Sequence, residues 1–245
     1  MNKKILTILL FIASSLSFSY SETDVKKLKF TGVCEDCDFS GLVFSKDDFG
    51  EIVEISFGKS ISTIDLTDKN LNGSNFKGAN LSNVNLSRST LVRTNFEDAN
   101  LSGAEIRSVN LSEANFKNAN LSRAKFSSVK TVNANFMFAN LSNINMTREN
   151  LFRVNFRGAN FTGTKLVNAN LKDADFTGAI FRNANISGAL VYGANFTAVD
   201  LSQTEMQKVS FEKVILCGTI MPWGIEDSGC TTIEKPKTDM DDFDL

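Results

Sequence analysis

Residues 94–121 read TNFEDANLSGAEIRSVNLSEANFKNANL, and the placement of the large apolar residues in that stretch decides the fold. Phe96, Leu101, Ile106, Leu111, Phe116 and Leu121 follow one another at a spacing of five. The rule extends in both directions, because positions 66, 71, 76 and so on to 211 are almost all Leu, Phe, Ile, Met or Val. Phe itself recurs every twenty residues, at 76, 96, 116, 136, 156, 176 and 196, and Leu216 continues the series. A period of five nested in a period of twenty describes a square coil: four short sides, then a return to the starting face.

With the apolar residue of each unit taken as its centre, sorting by twenty gives four columns. One is the Phe ladder. The second runs Leu81, Leu101, Leu121, Leu141, Phe161, Phe181, Leu201; the third begins Leu66, Leu86, Ile106; the fourth begins Leu71, Leu91, Leu111, Thr131. Two residues before each centre the chain is small, as at Ala79, Ala99, Ala104 and Ala114. Large and small apolar residues two apart, with polar residues between, obey the alternation of a strand. Asn, Asp and Gly suit the tight turns between sides through local side-chain hydrogen bonds and tolerance of left-handed backbone. Centres from 61 to 216 number 32, hence eight coils, and at ~4.8 Å per layer the rod is about 38 Å long.

The start of the chain is separately legible. Lys3 and Lys4, the apolar run from Ile5 to Ala13, and the small residues Ser19 and Ser21 before Glu22 have the form of a secretory signal peptide over residues 1–21. The run is too short to span a bilayer and no other segment reads as a span, so the expected address is exported, periplasmic or secreted. Cys34, Cys37, Cys217 and Cys230 bracket the repeats, and an even count suits an oxidising compartment. A bond between Cys217 and Cys230 would close a 14-residue segment, worth ~3 kcal/mol in the loop-entropy model. Cys34 falls at a centre and Cys37 at a small inward position, so that pair reads either as buried small apolar residues or as a structural disulfide. Zinc would need two further ligands nearby.

Ala-Asn-Leu-Ser occurs at 79–82, 99–102, 119–122 and 139–142, and on these units the chain resembles the pentapeptide-repeat family. The resemblance implies an all-β fold, a right-handed quadrilateral β-helix. The flanks look like those of exported members: Cys34-Glu35-Asp36-Cys37-Asp38-Phe39-Ser40-Gly41 is similar to an entry segment, and Cys217 to Cys230 to a closing segment, with Trp223 where such segments usually carry Asp. Phe39, Phe44 and Phe49 keep the five-residue step in another register, so two extra residues, modulo five, are expected in a loop within 50–60. The expected division is signal peptide 1–21, N-terminal cap and out-of-register repeats 22–60, solenoid 61–216, closing segment 217–238 and acidic disordered tail 239–245.

The chain has no histidine, which removes the commonest general base and metal ligand. No acid, base and nucleophile converge either, so the sequence points away from an enzyme and calls for no cofactor, metal or small-molecule substrate. Residues 61–216 carry 17 Lys and Arg against 12 Asp and Glu, net +5; residues 217–245 carry 2 against 7, net −5. The family's best-studied activity is DNA mimicry by gyrase-protecting members, which needs a strongly acidic rod. A basic rod and an export signal disfavour a nucleic-acid- or gyrase-directed effector. They leave a rigid scaffold that binds a protein partner or a second copy of itself.

One stretch departs from the pattern. Val132, Met137, Phe138 and Phe152 stand at outward positions, with Arg153 and Arg157 beside them. Exposed aromatics next to arginines are the material of partner surfaces, and Val132 and Phe152, twenty apart, are expected to touch on adjacent coils. Thr131 occupies a centre and Glu149 a small inward position. A buried carboxylate must find a partner. The expectation is a local distortion that turns Glu149 out towards Arg148 or Arg153, with Glu149→Ala leaving stability unchanged or raised.

Overall fold

The structure is a computed structural model and describes residues 22–31, 33–39 and 65–230. The expected signal peptide, Phe44 and Phe49, the register loop within 50–60 and the acidic tail lie outside these residues. From Asp65 to Ile220, parallel bridges join residues twenty apart; Asn75, Asn95, Asn115, Asn135 and Asn155 form one such series. The architecture is a β-helix solenoid. One step is long enough to form strands: β1 (Glu105–Arg107) lies parallel to β2 (Lys125–Ser127), with Ile106 opposite Phe126.

Most centres open a tight turn. The centre's carbonyl accepts the N–H three residues on, 3.0 Å for Ala79 N–H to Phe76, and the third residue of the turn takes positive φ, 58° at Asn83 and 61° at Arg88. That combination belongs to the type II turn. The Asn before the centre works twice. Asn75 Oδ1 accepts Lys77 N–H at 3.2 Å within its own turn, and Asn95 Nδ2 of the next coil donates to it at 3.0 Å. Inward hydroxyls are used the same way: Thr94 donates to Leu71 O at 2.9 Å and Thr164 to Leu141 O at 2.6 Å. Among the described residues no buried side-chain nitrogen or oxygen lacks a partner.

The Phe ladder is one buried column. Its seven rings are fully buried and stack in sequence, from 4.7 Å between Phe116 and Phe136 to 5.4 Å between Phe136 and Phe156. Phe39 extends it, 4.9 Å from Phe76, and Asp38 bridges to Asn75 across 37 residues. That step exceeds a coil of twenty by 17, two more than a multiple of five. The register change read from the sequence is therefore real, and its extra chain falls between 39 and 65.

The N-terminal end corrects the all-β expectation. Helix α1 (Glu22–Thr31) precedes the first bridged segment. Asp24 stands in its first turn, where the helix dipole favours an acid. Leu28 is fully buried, and the Asp24 carboxylate accepts Asp38 N–H at 2.9 Å, so the helix is tied to the edge of the coil it covers. At the other end β3 (Thr219–Met221) folds back on β4 (Gly224–Glu226) through Pro222 and Trp223, whose indole N–H donates to Glu226 at 3.0 Å.

The sulfurs of Cys34 and Cys37 lie 1.96 Å apart and those of Cys217 and Cys230 2.10 Å apart. Asp24 and Asp227 stand close to the two pairs, but sulfurs bonded to one another offer no thiolate to a metal. Non-reducing mass mapping of the purified protein is expected to recover two linked peptides, 34 with 37 and 217 with 230. Free thiols at both sites would overturn this arrangement.

Candidate interaction surface

Where the sequence departs from its pattern, the solenoid opens. One coil earlier, Leu111 and Glu113 donate their N–H groups to Lys130 O and Val132 O at 2.7 and 2.8 Å. The equivalent bonds from Thr131 and Asn133 to Asn150 and Phe152 are absent, as are those from Phe126 to Asn145, from Asn145 to Ala124 and from Asn150 to Val129. On the other two sides the same coils stay joined, by Leu121 N–H to Asn140 O at 2.8 Å and Phe136 N–H to Asn155 O at 2.8 Å. The result is a wedge. Its hinge shows in the Phe column, where the rings of Phe136 and Phe156 make the widest step and tilt by 27°.

Glu149 and Thr131 fill the wedge. The Glu149 carboxylate accepts the backbone N–H groups of Ser128 and Val129 at 2.9 and 3.0 Å, and the Thr131 hydroxyl donates to Asn150 O at 3.0 Å. The expected distortion is present, but the expected partners are not used. Arg153 pairs with Asp173 at 3.5 Å and Arg148 has no carboxylate within reach among the described residues. The reason is geometric: an inward side chain meets the amides of the preceding coil before it meets a side chain at the corner.

The six candidate residues divide between two neighbouring faces. Val132, Phe152 and Arg153 stand on the face of the fourth column, with Arg153 4.8 Å over the Phe152 ring. The wedge opens between the coils of Val132 and Phe152, so the pairing expected of them falls at the step where the ladder is broken. Met137, Phe138 and Arg157 follow the next corner, on the Phe-column face. Phe138 is 57% exposed and adopts φ 58°, rare for an aromatic residue. Its ring lies over Gly158, where an added Cβ would come within 2.3 Å of it. Arg157 reaches Asp175 at 3.2 Å. Burial pushes the Asp175 carboxyl up, but hydrogen bonds from the Thr177 hydroxyl and N–H, and then from Arg157, outweigh it and hold the group below the usual range.

Sequence reasoning missed part of the first face. Continuing by twenty from Val132 and Phe152 leads to Lys172 and Tyr192, and Tyr192 is 45% exposed with Lys213 5.2 Å over its ring. Leu190, 51% exposed, stands beside it. A polar groove of about 460 Å³ on the second-column face is lined by Asn83, Ser102, Asn120, Ser122 and Arg123, with no acid or base set against its hydroxyls.

Two family profiles match the chain: one described as the pentapeptide repeat region over residues 59–136, the other as pentapeptide repeats over 134–173 and 155–191. Together they cover more than half of it, and the chain belongs to the pentapeptide-repeat family. No curated protein matches it in sequence. Among solved structures it is similar to a trypsin-treated variant of QnrB1, a plasmid-mediated fluoroquinolone resistance protein, at 20% identity and a TM-score of 0.54, covering 60% of this chain and 77% of that one. It is also similar to HetL, a pentapeptide repeat protein involved in heterocyst differentiation regulation in the cyanobacterium Nostoc sp. strain PCC 7120, at 21% identity and a TM-score of 0.39, covering 79% of this chain and 91% of that one.

Proposed function

We propose that this chain is a non-enzymatic, exported scaffold, a right-handed quadrilateral rod of about eight coils that binds a protein partner through the face carrying Phe152. The observation that carries the reading is the row of exposed apolar side chains with basic neighbours on that one face: Val132, Phe152 under Arg153, and Tyr192 under Lys213. Elsewhere the outward positions are mostly Asn, Ser, Thr and charged residues. Cysteine pairs at bonding distance fit an oxidising compartment. The likeness to QnrB1 is one of fold. A DNA-mimic role is opposed by the net +5 of residues 61–216.

A crosslinking pull-down from the envelope fraction tests the reading. Phe152→Ala with Arg153→Ala is expected to weaken capture of the partner at least tenfold, about 1.4 kcal/mol, as for an interface anchor. Phe138→Ser, on the neighbouring face, is the comparison. Undiminished capture by the Phe152 and Arg153 variant would reject this face.

A further inference from the structure

The face carrying Phe152 has a spacing as well as a composition. Phe152, Lys172 and Tyr192 occupy the same position of three successive coils. Backbone bonds hold those coils in register, Arg153 N–H donating to Lys172 O and Asp173 N–H to Tyr192 O, both at 3.0 Å. Phe152 and Tyr192 are therefore two layers apart, ~9.6 Å at the sheet spacing, with Lys172 between them. Each ring has a cation over it, Arg153 at 4.8 Å and Lys213 at 5.2 Å.

The charge of the face calls for an acidic occupant. Across its segments 128–134, 148–154, 168–174, 188–194 and 208–214 it carries six Lys and Arg against three Asp and Glu. Two of the three acids are already engaged, Glu149 with backbone amides and Asp173 with Arg153. Lys130, Arg148, Lys172 and Lys208 are exposed, and among the described residues none has a carboxylate within ion-pair distance.

The spacing selects the occupant's conformation. In a strand, side chains of one face are two or four residues apart, ~6.8 or ~13.6 Å, and neither step meets both rings. A helix brings residues i and i+7 to ~10.5 Å. The apolar stripe of an amphipathic helix also carries i+3 and i+4 between those two, and they would rest on the Lys172 ammonium. Polyproline II turns once in three residues with a rise of ~3.1 Å, so i and i+3 share a face ~9.3 Å apart. The two residues between them are then open to acids. Aromatic surfaces dock such segments readily because the conformation is preformed and little freedom is lost.

We infer that this face binds an acidic polyproline II segment of a partner protein, with large apolar residues three apart against Phe152 and Tyr192 and carboxylates between them against Lys172 and Lys213. The inference rests on the reading of this face as the binding surface and gives that surface a partner chemistry.

Fluorescence anisotropy of the full-length protein with a labelled peptide of four Phe-Glu-Pro repeats tests it. The peptide is expected to bind saturably, and about 0.5 M salt should weaken it at least fivefold. Phe152→Ala and Tyr192→Ala should each weaken it at least fivefold and Lys172→Glu at least tenfold. All three residues are exposed, so circular dichroism and thermal unfolding should match the parent. Phe138→Ser, on the neighbouring face, should bind as the parent does. A peptide of the same composition, shuffled so that no two Phe lie three apart, should bind at least fivefold more weakly, and four Phe-Lys-Pro repeats should not bind. Equal binding of either comparison peptide, or binding indifferent to Phe152 and Tyr192, would overturn the inference. Self-association of the protein that Phe152→Ala abolishes would assign the face to a second copy and overturn it as well. If the Phe-Glu-Pro peptide fails while crosslinked capture of the partner still depends on Phe152, the segment's chemistry is wrong and the binding face stands. If the peptide binds as expected while capture ignores Phe152, the peptide site stands and the partner in the envelope uses another face.

Discussion

Phe136→Ala is expected to lower the free energy of unfolding by about 3–5 kcal/mol, the range for deleting a buried Phe from a packed core. Phe136 is fully buried, stacked 4.7 Å from Phe116 and within 4° of parallel to it. The loss combines the transfer of the ring with the cavity left behind. Its size depends on how far the surroundings relax, and here the two sides differ. The coil carrying Phe116 is bonded to its neighbours on every side, whereas Phe136 borders the wedge, where its other contact is 5.4 Å and tilted. Phe116→Ala is therefore expected to cost at least as much as Phe136→Ala. Because each coil touches only its neighbours, the damage should be local. Urea unfolding gives the magnitude, and native-state hydrogen exchange should show lost protection within about two coils of the substitution. A loss under ~2 kcal/mol for both variants would contradict the single buried column.

The column was legible because its signal is arithmetic: a Phe every twenty residues fixes both the face and the coil, and burial of all seven follows. The Asn ladder was half legible. Asn75 at a turn is a local property, but its bond to Asn95 depends on coils stacking in register, which only the periodicity implies. The helix at Glu22–Thr31 was missed, although an acid in its first turn is a helix signal, because the strand period elsewhere set the expectation for the flank. The candidate patch was legible in part. Val132 and Phe152 follow the step of twenty that groups residues on one face of a solenoid, whereas Met137 and Phe138 join them only by closeness in sequence. Following that step from Phe152 reaches Tyr192 and leaves Phe138 on another face. The wedge itself could be anticipated from Glu149 and Thr131 but its partners could not, since they are backbone amides, which every residue carries.

Glu149 supplies the second large effect, and two substitutions should move stability in opposite directions. Glu149→Gln keeps the bulk that holds the wedge open but replaces one oxygen by an NH₂ group facing a backbone N–H donor. Hydrogen bonds to a charged acceptor are each worth about 1.5–3 kcal/mol net, and an unsatisfied buried donor costs about 1–3 kcal/mol; a loss of roughly 2 kcal/mol is expected. Glu149→Ala removes the obstacle altogether. The small residue is the one that other units of this rod place there, as at Ala169 and Ala189 on the same face, and both are buried with their coils bonded to the preceding one. With the carboxylate gone, Ser128 can donate to Thr147 and the amides of Thr131, Asn133, Asn145 and Asn150 can regain the carbonyls that their counterparts one coil away already use. Each bond regained contributes about 0.5–1.5 kcal/mol, enough to offset the two that Glu149 made, so stability should be unchanged or higher. Hydrogen exchange separates this closure from a fortuitous balance. Those four amides should exchange fast in the parent and in Glu149→Gln, and slow down in Glu149→Ala. A loss above about 1 kcal/mol in Glu149→Ala with no gain in protection would mean that the wedge is held open by Thr131 and the surrounding chain, with Glu149 acting as its clasp.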